Sequence, residues 1–283
     1  MKTFGTVKLL AFSTLLFWLS NLTPVFAYAR DQGQPLFMCV VGLAVGVIAF
    51  FWGFAQLRTK RLMEDIPTST IRAIAPGLVE ITGQVVDWQL KEAPFTLKPC
   101  GYFEYEVEQY VSSGKNSHWE TILKGDSKTH SFYVKDDTGT VLVKPWDSKV
   151  IISDPYVLKT GTFTDVPQNI VDFLQQRNIS IRGFFGFEKT LRFTERHFLP
   201  GQTLFVMGTC EQSPSPVAIP PEGALKDIAI EKGSRSGDLF ILSDESQKQL
   251  ESSFATQAFF GIFGGLTLIG GCLWAILHLL GYM

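Results

Sequence analysis

Residues 36–57 read LFMCVVGLAVGVIAFFWGFAQL, and this stretch decides how the chain is organised. It carries no charge and is long enough to cross a bilayer as a helix. Arg58, Lys60 and Arg61 follow it at once. A second apolar run, FFGIFGGLTLIGGCLWAILHLL at 259–280, lies near the other end of the chain. The sequence between them, 58–256, is then expected to fold as a polar module tied to the membrane at both ends. Its length of about 200 residues is enough for one large core or two small ones.

The ends set the expected topology. Residues 1–29 have the pattern of an export signal: Lys2 and Lys8, an apolar centre from Leu9 to Leu19, and a small-x-small site at Ala27-Tyr28-Ala29. The alternative is an uncleaved first membrane helix reaching Phe26. Both versions put the stretch after residue 29 outside the cytoplasm. The run at 36–57 has only Arg30 on its outer flank and three basic residues on its inner flank, which places the central module in the cytoplasm. Gly42 and Gly46 form a small-xxx-small pair, as do Gly261 and Gly265, and such pairs let helices approach closely. The two helices are expected either to pack on each other or to mediate homo-oligomers.

Composition narrows the function classes. The 283-residue chain has a net charge of −2, with 18% charged and 46% hydrophobic residues. That balance gives no footprint for nucleic acid. Of four cysteines, Cys39 and Cys272 sit in the apolar runs, and Cys100 and Cys210 stand alone in the middle. There is no CxxC pair and so no zinc-knuckle spacing. Buried thiols in a reducing compartment are expected, rather than a Cys100–Cys210 disulfide.

The central region reads as mainly β with short helices, an α+β domain. Pro67 should end the extension of the first helix, and Thr68 or Ser69 can cap a short helix over 70–75. Strand patterns follow at 78–86, 102–111 and 117–123, the last two joined by a turn at 112–116. The segment SFYVKDDTGTVLVKP, 131–145, predicts a hairpin turning at Asp137-Thr138-Gly139. Asp136 and Asp137 are too few for calcium, which takes six or more oxygens. A strand is expected at 156–163 and a helical stretch at 166–176. Residues 191–208 read as strand, Pro200-Gly201 turn, strand. A stiff proline-rich excursion occupies 211–223, and a strand lies at 238–243.

No Walker loop, GxGxxG, GxSxG or HExxH occurs, and no catalytic residue, cofactor or metal is expected. Glu195 and His197 share a face of one strand, a weak acid–base pattern more readily explained as the rim of a sheet. The aromatic stretch RGFFGF at 182–187, with Lys189, Arg192 and Arg196, is the nearest thing to a recognition patch. Core and sheet edge is the plainer reading. The sharper one puts Phe184, Phe185, Phe187, Lys189 and Arg192 in contact with membrane lipid or a protein partner of unknown identity.

Taken together, MEDIPTSTIRAIAPGLVEITGQV at 63–85, PCGYFEYEVEQY at 99–110, HWE at 118–120, FYVKDDTGTVLVKP at 132–145, ERHFLPGQTLFVMGTC at 195–210 and FILSDESQKQL at 240–250 resemble the GIDE family. This is the membrane-embedded module of mitochondrial and chloroplast RING-type E3 ubiquitin ligases, and the resemblance covers about two thirds of the chain. It implies two membrane helices around the domain. In the ligases a zinc-binding RING follows the second helix. Here only Gly281-Tyr282-Met283 follow Leu280, so the expected function is a non-enzymatic, membrane-anchored interaction domain. The alternative is an E3 ligase-like subunit whose RING is supplied in trans.

Overall fold

The computed structural model describes residues 35–113, 116–160, 166–180, 189–213, 220–235 and 238–280. These form two units, one built on the long apolar helices and the other spanning Leu62–Glu251. The expected export segment at 1–29 lies outside the described residues.

Each apolar run forms a single long helix, α1 (Pro35–Asp65) and, at the other end, a second one at Gln247–Leu279. Both are long and apolar enough to cross a membrane. Helix α1 continues beyond the apolar run and stops before Pro67, whose ring cannot follow in a helix interior. The short helix expected over 70–75 is only a 3-10 turn, Ile71–Ala73. Asp136 holds it in place, since its carboxylate accepts the Ile71 N–H at 2.8 Å.

Five strands of the larger unit close on themselves. In chain order they are β1 (Gly77–Val85), β6 (Phe132–Lys135), β7 (Thr140–Val143), β11 (Thr203–Gln212) and β12 (Ala224–Glu231). Their order around the ring is β1-β6-β7-β12-β11 and back to β1. The β12–β7 pair is parallel and the other pairs are antiparallel. A five-stranded ring that runs first-second-third-fifth-fourth, parallel only between third and fifth, has the strand order of the OB-fold barrel. Its core is made by alternate residues such as Ile81, Val85, Val134, Val141, Val143, Leu204, Val206 and Ile230. Two short strands, β8 (Lys149–Ile151) and β13 (Ile241–Ser243), extend the sheet from β11.

Two insertions into the barrel build a second layer. Between its first and second strands come a two-stranded pair, β2 (Lys91–Glu92) with β3 (Pro99–Cys100), and the hairpin of β4 (Tyr102–Ser113) and β5 (Asn116–Asp126). Between its third and fourth strands come β8, β9 (Tyr156–Lys159), helix α2 (Gln168–Gln175) and β10 (Leu191–Phe198). Of these, β4, β5, β9 and β10 assemble as an antiparallel sheet, β5-β4-β10-β9. Ile170 and Leu174 of α2 pack on Val107, Leu191 and Phe193 of that sheet. Phe95 lies edge-on to Tyr105, Phe173 and Phe193 at centroid distances of 5.4–5.6 Å. The C-terminal helix at 247–279 is α3.

The Pro200-Gly201 turn does not fold a hairpin. It carries the chain from β10, in the second sheet, to β11, in the barrel. Strands β4 and β10 join the two cores. Tyr102 and Phe198, directly opposite each other, enter the barrel core, and Val107 and Phe193, also opposite, enter the second core.

Candidate functional site

Glu195 and His197 do share a face of β10, but their chemistry is committed to structure. The Glu195 carboxylate is wholly buried. It accepts the Phe95 N–H at 2.6 Å, the Thr96 hydroxyl at 2.5 Å and the Thr96 N–H at 3.3 Å. It thereby fixes the tight turn at 93–98, in which Leu97 has a positive φ of 54°. Asn169 of α2 reaches the same turn through the Phe95 carbonyl at 2.8 Å. His197 Nδ1 lies 3.6 Å from Glu195 Oε1 and has no hydrogen-bond partner. Burial pushes the His197 pKa down, Glu195 pulls it up less strongly, and Lys98 adds to the downward shift.

The other acidic and thiol groups are likewise built in. Asp136 also accepts the Thr138 N–H and hydroxyl, each at 2.7 Å, and the Gly139 N–H at 2.9 Å. Burial alone would raise its pKa, but these bonds and the one from Ile71 outweigh it and hold the carboxyl low. This is the chemistry of a hairpin turn. All four cysteines are free and buried. The Cys100 thiol is pushed up to about 12, by burial and then by Glu195, and donates to the Lys91 carbonyl at 3.3 Å. Burial also raises Cys210, with a further push from Glu211. Neither thiol is activated as a nucleophile. Among the described residues no group of three or more His, Cys, Asp or Glu is placed to hold a metal.

The outer face of the second sheet is different in kind. Arg192 stands opposite Glu108 across the β10–β4 pair. Its guanidinium grips that carboxylate through both Nε and Nη2 and lies over the Trp119 ring, 4.5 Å from its centroid. Trp119 in turn meets Tyr110 at 5.3 Å, and Tyr110 is 41% exposed. The Arg192 hydrogen bonds pull the Glu108 pKa down, against a smaller opposing effect of burial. Arg196 pairs with Glu104 at 3.2 Å further along the same face. The result is a pre-ordered aromatic–arginine platform at the hairpin end of the sheet. The sequence reading singled out Arg192 but not Tyr110 or Trp119. Period-two alternation puts both on the polar face, and that was the available signal. Lys189, half-buried, lies just before β10. Phe184, Phe185 and Phe187 lie outside the described residues.

In the helical unit the small residues meet. A Cβ on Gly46 would come within 3.1 Å of the Gly265 carbonyl, and one on Gly265 within 2.7 Å of the Gly46 carbonyl. One on Gly42 would fall 2.6 Å from Cys272 Sγ, and one on Gly261 2.6 Å from Gly53 Cα. The order of these contacts makes α1 and α3 antiparallel. The outward sides are bare and apolar: Phe37, Ile48, Phe51, Phe263 and Trp274 are each at least half exposed. Contiguous exposed apolar faces of this kind mark contact with a membrane or with another protein.

A family model described as GIDE, E3 Ubiquitin ligase, matches residues 102–276. The match begins at β4 and runs through both sheets into α3. No curated protein and no solved structure matches the chain.

Proposed function

The chain belongs to the GIDE family, and from that premise we propose that it is a membrane-anchored interaction module. Helices α1 and α3 hold it in the bilayer, and Arg58, Lys60 and Arg61 put the Leu62–Glu251 unit on the cytoplasmic side. The outer face of the second sheet receives a protein partner. The observation that carries this reading is the Tyr110–Trp119–Arg192 platform. Tyr, Trp and Arg are the side chains that concentrate binding energy at interfaces, and the Glu108 clamp fixes Arg192 before any partner arrives. Lys189, which precedes β10, and the sequence positions Phe184, Phe185 and Phe187 are proposed to contribute to the same lipid or partner contact.

Photocrosslinkers at positions 110 and 119 of the full chain, in native membranes, test this. The expected result is a discrete protein adduct that is lost in Arg192→Ser. Adducts to lipid alone would transfer the face to the membrane surface, and no adduct at either position would reject it as a contact surface.

The family description also supports a second reading, a subunit of a ubiquitin-like ligation system that works with a RING supplied in trans. Reconstitution with conjugating enzymes and RING partners tests it. Absence of chain-dependent ligation in every pairing counts against it.

A further inference from the structure

Strand β1 reads GLVEITGQV, and its alternation sends Val79 and Ile81 into the barrel core while Glu80 points to the opposite side. Glu80 is nevertheless 0% exposed. Thr68 bridges to it in parallel, and the Ser69 N–H donates to its carbonyl at 2.8 Å. The Thr68 hydroxyl donates to Oε1 at 2.7 Å. Oε2 is buried with no hydrogen-bond partner. The neighbouring ends of the long helices are tied to each other within the same unit. Gln247 Nε2 donates to the Met63 carbonyl at 3.4 Å, and Met63 and Leu250 are both buried to 1% exposure or less.

A neutral carboxyl tolerates this setting, whereas an ionised one would leave a charged oxygen unpaired in a dry place. We propose that Glu80 is a proton-operated latch inside the Leu62–Glu251 unit. Neutral, it holds segment 62–69 against β1; ionised, it lets the segment go. The surrounding charges favour the neutral form. On β1 it is the only charged residue, and its cross-strand neighbour on β11 is Met207. Segment 62–69 carries Glu64 and Asp65, and the start of α3 carries Lys248 and Glu251, with Glu245 just before it. Burial raises the Glu80 pKa, the Thr68 hydroxyl pulls it back, and Glu251 pushes it further up. The stimulus is therefore a rise in pH on the domain's side of the membrane, and the response does not depend on what binds the second sheet.

Hydrogen exchange of the full chain in lipid nanodiscs, read at 66–71 and corrected for intrinsic rates, tests the latch. Docking binds the proton more tightly than release does. Protection should therefore fall by about tenfold per pH unit between the ordinary glutamate range and the docked pKa, then level off. In Glu80→Gln it should stay flat. Glu251→Gln should move the levelling-off to lower pH and Thr68→Val to higher pH, shifts that a purely structural contact would not produce. Infrared spectra should show the carbonyl stretch of a protonated carboxyl that disappears in Glu80→Gln. Superposable profiles for wild type and Glu80→Gln, or absence of that band, would overturn the proposal.

Discussion

Glu195 Oε2 accepts the backbone N–H of Phe95 at 2.6 Å, joining residues 100 positions apart in the chain. The bond anchors the turn that carries Phe95 into the aromatic cluster with Tyr105, Phe173 and Phe193. A hydrogen bond to a buried charged group contributes about 1.5–3 kcal/mol. Glu195→Ala removes the acceptor and leaves the Phe95 N–H unpaired. A loss of roughly 3 kcal/mol or more is expected in thermal unfolding of the detergent-solubilised chain. Glu195→Gln keeps one acceptor oxygen and should lose less. If Glu195→Ala unfolds like wild type, the carboxylate is not the anchor.

His197 should make the fold acid-sensitive. Its folded pKa lies below the ordinary 6.5, chiefly through burial. In the window beneath 6.5 the unfolded chain binds more protons than the folded one, so stability falls as pH drops through that window. His197→Gln should flatten this part of the stability curve and leave the alkaline side unchanged. A melting-temperature series for both proteins measures the difference. Equal slopes would show that His197 does not titrate on unfolding.

The helix pair can be trapped covalently. A side chain at Gly42 would start 2.6 Å from Cys272 Sγ, inside the range of a disulfide after a small adjustment. With Cys39, Cys100 and Cys210 changed to Ser, Gly42→Cys should oxidise to an intrachain link with Cys272, seen by mass spectrometry of the joined peptides. A dimer linked between chains would instead mean that these faces meet across two copies. The opposite experiment is Gly265→Val. Its Cβ would press on the Gly46 carbonyl and the Phe50 backbone, so the linking yield should fall sharply.

Much of this architecture is legible in the sequence because it is local. The helices at 36–57 and 259–280, the β4–β5 hairpin and the turn at Asp136 each follow from a few neighbouring residues. The barrel is not local. Its closing pair, Gly77 with Cys210 through Gln84 with Thr203, joins strands more than 100 residues apart, and no periodicity within either strand names the other. The same holds for Glu195. Spacing alone set it beside His197 as a weak acid–base pair, while its actual partners, Phe95 and Thr96, come from a turn about 100 residues earlier. Residues 200–201 show the limit most directly. The strand–turn–strand pattern at 191–208 is local and is what the chain forms, but nothing local says that the two strands pair in different sheets, β10 with β4 and β9 and β11 with β1, β12 and β13.

Trp88 gives a prediction that runs against size. It packs on the small cluster of Tyr133, Leu142 and Ala229 on the outer side of the barrel, on the strap whose Val86 N–H bonds the Tyr133 carbonyl at 2.9 Å. Its indole Nε1 is buried without a hydrogen-bond partner. An unmet buried donor costs about 1–3 kcal/mol, comparable to what the extra ring area of Trp over Phe returns on burial. Trp88→Phe should therefore leave stability unchanged or raise it, and Trp88→Ala, which removes the ring altogether, should lower it by about 3 kcal/mol or more. Chemical denaturation of the three proteins in one detergent separates the two terms. A loss in Trp88→Phe close to that of Trp88→Ala would show that the indole N–H finds a partner, such as an ordered water, and that the strap depends on it.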